Sequence, residues 1–177
     1  AVVGVTAGKH AIPFASLAPK VVAGCAALAT LAGASGQPDI PYLAFDPSTE
    51  EHAQFLFGMP KSWDEGTITF RPRWLHPATT TNFGTCWKLR ALAVSDNETL
   101  VASFGTAQPS VDTGGTTSNH YYGPESSAIT IGGTPAAQDL VLFDLYRDPA
   151  DAGDTLAVDA WLIGIDLFIT TNADNDA

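Results

Sequence analysis

The sequence is short of charged residues, and few of them are basic. Asp, Glu, Lys and Arg make up 15% of the 177 residues, below the usual quarter, and eight bases stand against nineteen acids for a net charge of −11. Nucleic-acid binding depends on clustered Lys and Arg, so this balance argues against it. A surface with little charge often lies against another protein, and the composition therefore favours assembly.

Cysteine and long apolar runs are also scarce. Cys25 and Cys86 lack metal or redox spacing, which favours two small buried residues and leaves a disulfide between them open. The apolar run VVAGCAALATLAG covers thirteen residues, too few to cross a membrane. The stretch 22–25 resembles a lipoprotein cleavage box, but the apolar run follows the cysteine instead of preceding it. We therefore predict no membrane association.

The sequence lacks the patterns of catalytic and metal sites. GVTAGK at residues 4–9 has three residues between its glycines instead of four, so it fails as a phosphate-binding loop. The four histidines are scattered, and no G-x-S-x-G elbow occurs. Asp148, Asp151 and Asp154 miss the spacing of an EF-hand calcium loop. We predict a non-enzymatic protein with no cofactor and no metal.

The charge that is present is unevenly distributed. Residues 1–90 hold six acids and seven bases, whereas residues 91–177 hold thirteen acids and one base. We interpret the acidic half as facing solvent and the neutral half as lying near a partner. A chance distribution over a solvated surface is the alternative.

A few side chains are candidates for ligand contact. Arg71 and Arg73, with Lys88 and Arg90, alternate on the polar faces of two predicted strands and would present a basic stripe to a carboxylate-bearing partner or an acidic glycan. The solvated face of a strand is the simpler interpretation. Trp63 lies in a predicted turn and is the one tryptophan expected to be exposed. The candidate ligand contacts are therefore Trp63, Arg71 and Arg73.

Strand patterns begin at Ile40 and recur at short intervals, separated by turn residues. The candidate strands cover residues 40–46, 51–59, 66–75, 85–95, 108–113, 119–131, 138–147 and 155–170. Residues 95–103 predict one short capped helix. Eight short strands with almost no helix predict an all-β fold, an antiparallel jelly-roll-like β-sandwich over residues 40–171.

Residues 1–39, here called the arm, differ from the rest of the chain. They are rich in Ala, Gly and Val and carry three charges, and Pro13 and Pro19 break any long helix. A segment this apolar would not stay free in water, so we expect an extended N-terminal arm along the domain or against neighbouring subunits. The residues predicted to anchor a partner are Ile12, Phe14, Leu17 and Lys20. Residues 172–177 form an acidic C-terminal tail.

The last two predicted strands are apolar on both faces. In a two-layer sandwich only one face of each sheet meets the core. Large exposed apolar patches are uncommon on soluble monomers, so the arm or another subunit should cover the second face. Coverage by the chain's own loops is the alternative. The predicted oligomer interface consists of Trp161, Ile163, Ile165, Leu167 and Ile169.

Several runs resemble a group of bacteriophage virion proteins. They are IPYLAFDPSTEEHAQFLFGMPKSWDEGTITFRPRW, LRALAVSDNETL, FGTAQ and GDTLAVDAWLIGIDLF, within a similarity that covers nearly all of residues 9–170. The resemblance implies a jelly-roll-like domain after a short N-terminal stretch, a homotrimer, and a place on the surface of a phage particle. It also implies contact with the major capsid protein or an adjacent structural subunit. It brings no catalytic residues.

The function expected from these observations is structural. The first expectation is a capsid decoration or head-protrusion protein that is anchored by its arm. A tail-fibre or host-glycan-binding jelly-roll module is the alternative within a particle. A secreted carbohydrate-binding module of the same fold is the rival from a different class, and a hydrolase on this scaffold ranks third.

Overall fold

The computed structural model describes residues 8–77, 83–115 and 119–172. Residues 1–7 of the arm and all of the predicted acidic tail except Asn172 lie outside these ranges. The described residues form eleven strands and no helix. The strands are β1 (Gly8–Phe14), β2 (Ala18–Pro19), β3 (Ala29–Leu31), β4 (Ile40–Phe45), β5 (Glu51–Gly58), β6 (Thr69–Leu75), β7 (Phe83–Val94), β8 (Gln108–Gly114), β9 (Tyr121–Tyr122), β10 (Leu140–Arg147) and β11 (Ala160–Thr171).

The strands form two antiparallel sheets that pack face to face. The first sheet has the order β3-β4-β11-β6-β9, with β1 also paired to β11, and the second has the order β2-β5-β10-β7-β8. Counted from β4, the eight main strands lie in the order first-eighth-third-sixth in one sheet and second-seventh-fourth-fifth in the other. This order is a jelly roll built from two Greek keys. The predicted fold class is confirmed.

The core between the sheets is rich in aromatic side chains. Alternate residues of each strand point inward, as the sequence pattern predicts. The Phe55 and Phe143 rings stack with centroids 4.5 Å apart, and Phe45 meets Trp87 edge to face at 5.0 Å. Both geometries are favourable for aromatic pairs. Phe55 and Phe143 are neighbours within the second sheet, whereas the Phe45–Trp87 pair joins the two layers.

A bulge divides β11 and changes which side chains face the core. The pairing of β11 with β6 shifts register between Leu162 and Gly164, so the alternation reverses there. The β11 side chains buried in the core are Ala160, Leu162, Ile165, Leu167 and Ile169. Trp161 and Ile163 stay half-buried outside the core. The prediction of one continuous apolar interface along β11 is therefore wrong, since three of its five side chains fill the core of their own chain.

The arm is built into both sheets. β1 pairs with β11, β2 with β5, and β3 with β4. Ile12, Phe14 and Leu17 pack against the core, and the Phe14 ring lies 4.8 Å from that of Phe55. These three side chains are half-buried against the core of their own chain, and their role in anchoring a partner stays a prediction. Lys20 is half-buried, and its backbone N–H donates to the carbonyl of His52 at 3.1 Å.

The bulge also allows β1 to approach β11. A Cβ atom at Gly164 would lie 2.5 Å from the Phe14 carbonyl oxygen, closer than real Cβ contacts allow. Glycine at the bulge therefore makes room for the end of the arm strand.

The predicted helix at residues 95–103 does not form. The Ser95 N–H donates to the Glu98 carboxylate at 3.0 Å, and the Glu98 N–H donates back to the Ser95 carbonyl at 3.2 Å. The capping pair therefore exists, but it closes a single turn that leaves Leu100 and Val101 exposed. Within the described ranges, no helix is long and apolar enough to cross a membrane.

Candidate functional site

The four bases of the predicted basic stripe lie on two different sheets. Arg71 and Arg73 alternate with core residues on β6 and point outward from the first sheet. Lys88 and Arg90 do the same on β7 and point outward from the second sheet. The jelly roll places these outer faces on opposite sides of the core, so the stripe predicted from sequence is two separate surfaces.

On the second sheet the bases are paired with carboxylates of the same chain. Lys88 Nζ donates to Asp148 at 2.6 Å, and this hydrogen bond raises the pKa of Lys88. Arg90 Nη2 lies 2.6 Å from Asp144 Oδ2, and Asp144 is fully buried. The other oxygen of Asp144 lies 3.1 Å from His52 Nδ1. Lys88 and Arg90 are therefore each satisfied by a carboxylate of their own chain.

The aspartates of residues 148–154 have protein partners as well. Asp151 accepts the Gly153 N–H at 2.9 Å, and this bond holds the pKa of Asp151 below its usual value. Asp148 binds Lys88, and Asp154 binds Arg147. Within the part of the chain that the structure describes, no group of three or more His, Cys, Asp or Glu side chains could hold a metal ion.

Arg147 is a buried structural residue. Its Nε and Nη2 donate to Asp154 at 2.9 and 2.7 Å, while Nη1 donates to the Phe45 carbonyl at 3.2 Å and the Val158 carbonyl at 2.8 Å. Nη2 also donates to the Leu156 carbonyl. A full set of acceptors is what a buried guanidinium needs, so this residue fastens the loop after β10 to the end of β4.

Both cysteines are buried and unpaired. Burial raises the pKa of each thiol to about 12. Cys25 and Cys86 therefore do not form a disulfide with each other. They are free thiols that fill space as small buried residues.

On the outer face of the first sheet, side chains from β6, β9 and β11 meet in a group that we call the Tyr122 cluster. Its members are Arg71, Arg73, Tyr122, Asp166 and Phe168. Arg73 donates to both oxygens of Asp166, at 3.1 and 2.7 Å, and the Tyr122 hydroxyl donates to Asp166 at 2.6 Å. Burial acts to raise the pKa of Asp166, but the hydrogen bonds from Arg73 and Tyr122 outweigh it and lower that pKa.

Arg71 belongs to the same cluster, but it contacts aromatic rings where Arg73 binds a carboxylate. Its guanidinium lies over the Tyr122 ring at 5.1 Å and over the Phe168 ring at 5.5 Å. Among the residues that the structure describes, its one ion pair is a long contact, 3.9 Å from Nη2 to Glu125 Oε2. The other oxygen of Glu125 is bound by Lys9 and by the Thr69 hydroxyl, and these bonds lower the pKa of Glu125.

Trp63, the tryptophan predicted to be exposed, is buried with 1% of its surface accessible. The backbone N–H groups of Asp64 and Asn172 donate to the carbonyls of Thr170 and Ser62, which folds the turn onto the end of β11. The prediction that Trp63 contacts a ligand is wrong. The exposed aromatic side chain of this face is Tyr122, at 41%. The sequence analysis did not name Tyr122 as a candidate, because the residue adjoins a turn. The signal that could have found it is its position next to Tyr121, since neighbouring side chains of a strand point to opposite faces.

The described residues also present two exposed apolar surfaces. Residues 21–38, here called the uncharged segment, contain no charged side chain, and Val21, Val22 and Leu28 are 100%, 74% and 65% exposed. The second surface, called the distal patch, consists of Leu56, Leu100, Val101 and Leu140. Leu100 and Leu140 line one open cavity of about 350 Å³.

No protein-family model matches the chain, and no curated protein matches it in sequence. The strand order alone therefore defines the class of protein, an eight-stranded jelly roll with its arm built into both sheets. Function must be inferred from the surfaces, of which the uncharged segment, the distal patch and the Tyr122 cluster are the candidates.

Proposed function

We propose that this chain is a non-enzymatic structural protein of a bacteriophage particle, a homotrimer that decorates the head or protrudes from it. The observation that carries this proposal is the uncharged segment, whose large apolar side chains Val21, Val22 and Leu28 lie in water in the isolated chain. Contiguous exposed apolar surface is uncommon on soluble monomers and marks contact with another protein.

The net charge of the chain supports contact between identical copies at this segment. Each copy carries −11, so two copies repel one another wherever acidic surfaces meet. The uncharged segment is a surface on which two copies can approach without bringing carboxylates together. A basic partner would be drawn to the acidic surface instead.

Each copy has two different apolar surfaces, and this favours a closed ring of copies rather than a two-fold symmetric dimer. A cyclic trimer uses a heterologous interface, in which one surface of each copy meets a different surface of the next. The uncharged segment adjoins the beginning of β5 through the backbone bonds between Ala23, Cys25 and His52. The distal patch lies at the end of β5, where Leu140 pairs with Gly58. That the ring contains three copies is taken from the resemblance to virion proteins.

The jelly-roll strand order is one that capsid proteins share, which supports a role on a particle. Residues 8–19 of the arm complete the sheets of their own chain. Because the uncharged segment forms the contact between copies in this proposal, the contact with the major capsid protein or an adjacent structural subunit rests on the resemblance to virion proteins alone.

The proposal is tested first by light scattering on the purified protein. We expect a mass three times the 18.5 kDa of the chain. The double variant Val21→Asp/Val22→Asp should be monomeric, because it places two further negative charges in the contact. The control Val111→Asp makes one such replacement on the exposed edge strand β8 and should leave the trimer intact. A wild-type protein that is monomeric at all concentrations would refute the proposal.

The place on the particle is tested by electron microscopy of purified particles labelled with an antibody against this chain. We expect the label on the head. Label confined to the tail would contradict head decoration.

A further inference from the structure

Residues 20–25 form a tight loop, here called the valine loop, with the exposed side chains of Val21 and Val22 at its tip. The N–H groups of its first and last residues both donate to the His52 carbonyl at 3.1 Å, and the His52 N–H donates to the Ala23 carbonyl at 2.8 Å. Three backbone bonds to one strand residue therefore fix the loop on the beginning of β5.

The backbone of the valine loop is closely packed. Ala23 has a φ of 55°, in the left-handed region that residues with a side chain seldom adopt. A Cβ atom at Gly24 would lie 1.9 Å from the Lys20 carbonyl oxygen, so the two ends of the loop lie against each other. The two valines are also β-branched and stiff about χ1. They form a preorganised knob, which loses little conformational freedom when a partner covers it.

The distal patch is concave where the valine loop is convex. Leu100 and Leu140 line an open cavity of about 350 Å³, here called the hollow. The charged residues that line it are all acidic: Asp96, Glu98 and Asp139. Asp139 is buried, so the two exposed carboxylates form an acidic rim around an apolar hollow. Lys61 follows the end of β5 by three residues but does not line the hollow.

The charges decide which of these surfaces can meet. Two distal patches brought together would place Asp96 and Glu98 of one copy against the same carboxylates of the other, and like charges in contact disfavour an interface. The tip of the valine loop carries no charge, and the residue directly before it is Lys20. The acidic rim can therefore receive the valine loop without a like-charge contact at the tip.

The carboxylates closest to the valine loop along β5 are held by their own chain. Glu50 Oε1 lies 3.2 Å from His52 Nε2, and the Glu51 carboxylate accepts the Asp46 N–H at 2.9 Å. Lys20 is the base that stands beside the two valines. A knob with a lysine at its base is complementary to a hollow with an acidic rim.

A single copy cannot join its own knob to its own hollow. The valine loop is fixed to His52, whereas the distal patch lies where Leu140 pairs with Gly58 at the other end of β5. The six residues from His52 to Gly58 span about 20 Å of strand. The hollow must therefore be filled by the valine loop of another copy.

We propose that the valine loop of each copy inserts its two valines into the hollow of a neighbouring copy, with Lys20 beside the acidic rim. The inference rests on the proposed homotrimer and names which surface of one copy meets which surface of the next.

The test mixes two variants that each have one surface damaged. Val21→Asp/Val22→Asp changes the knob, and Leu100→Asp/Val101→Asp changes the hollow at two exposed positions. Each variant alone should be monomeric by light scattering, because every contact needs one intact knob and one intact hollow. Their equimolar mixture should have the mass of two chains, since one intact contact remains and the damaged pair stops further growth.

A second measurement uses the acidic rim. Val22→Asp should raise the dissociation constant of the oligomer by about tenfold or more, because it places a carboxylate beside Asp96 and Glu98. Val22→Lys should raise it by no more than about threefold, because its charge is opposite to that of the rim. If two valine loops met each other instead, both substitutions would bring like charges together and weaken the oligomer equally. Near-ultraviolet circular dichroism checks that each variant is folded.

The outcomes distinguish this inference from the proposed function. A monomeric wild-type protein refutes the homotrimer and this contact with it. A wild-type trimer overturns the pairing of knob with hollow, and retains the homotrimer, if the two variants fail to recombine or if Val22→Lys and Val22→Asp act equally. A hollow variant that remains a trimer also overturns it. A wild-type dimer whose variants recombine supports the pairing and contradicts a ring of three.

Discussion

Replacing Arg147 with methionine should destabilise the fold severely. Methionine is of similar length but cannot donate, so the substitution leaves the Asp154 carboxylate buried without its cation. It also leaves the carbonyl groups of Phe45, Val158 and Leu156 without a donor. Removing one partner of a buried ion pair costs about 3–5 kcal/mol. Since a domain is stable by about 5–15 kcal/mol, the variant should lose a large part of its free energy of unfolding.

The assay is urea unfolding followed by tryptophan fluorescence, with the free energy extrapolated to water. The double variant Arg147→Met/Asp154→Leu should recover much of the loss, because it removes the uncompensated charge as well. Recovery should be incomplete, since Asp154 also accepts the Cys86 N–H at 3.0 Å and that donor would be left unpaired.

A surface ion pair provides the matched control. Lys9 and Glu125 pair on the outer face with half of the Lys9 side chain exposed, so Lys9→Met should cost no more than about 1 kcal/mol. If Arg147→Met costs no more than Lys9→Met, the assignment of Arg147 as the residue that fastens the loop is refuted.

Two further predictions follow from titratable groups. Cys25 and Cys86 should not react with a thiol reagent at pH 8 in the native protein and should both react in denaturant, because burial raises their pKa values to about 12; a fast native reaction would contradict their burial. The lowered pKa of Asp166 means that its contribution to stability is present above the unfolded pKa, near 3.9, and is lost as the pH falls through the folded pKa. Asp166→Asn should therefore flatten the acid limb of a stability–pH curve, and an unchanged limb would argue against the Arg73 pair as its cause.

The strands were predictable from sequence wherever alternation ran between strong turn residues. The interval 138–147 contains β10, and 51–59 contains β5, because period-two patterns and flanking Asp, Gly and Pro act locally. The interval 119–131 was overextended. Its regular pairing is limited to β9, and Ile129 makes an isolated bridge to Ile68.

Features that depend on contacts between distant parts of the chain were not predictable in this way. The bulge at Gly164 reverses the alternation of β11. No local sequence pattern predicts which residue is the additional one that a bulge inserts into the strand. The burial of Trp63 depends on a turn folding onto β11, more than a hundred residues later in the chain. The pairing of Arg73 with Asp166 likewise follows from strand register.

The central position of β11 has a consequence for synthesis on the ribosome. This strand pairs with β1, β4 and β6, and it is the last strand of the described chain. Until it has emerged from the exit tunnel, its three partners have no common neighbour and the first layer cannot close. The apolar side chains of these partner strands must therefore be protected from aggregation in the nascent polypeptide until β11 has left the tunnel.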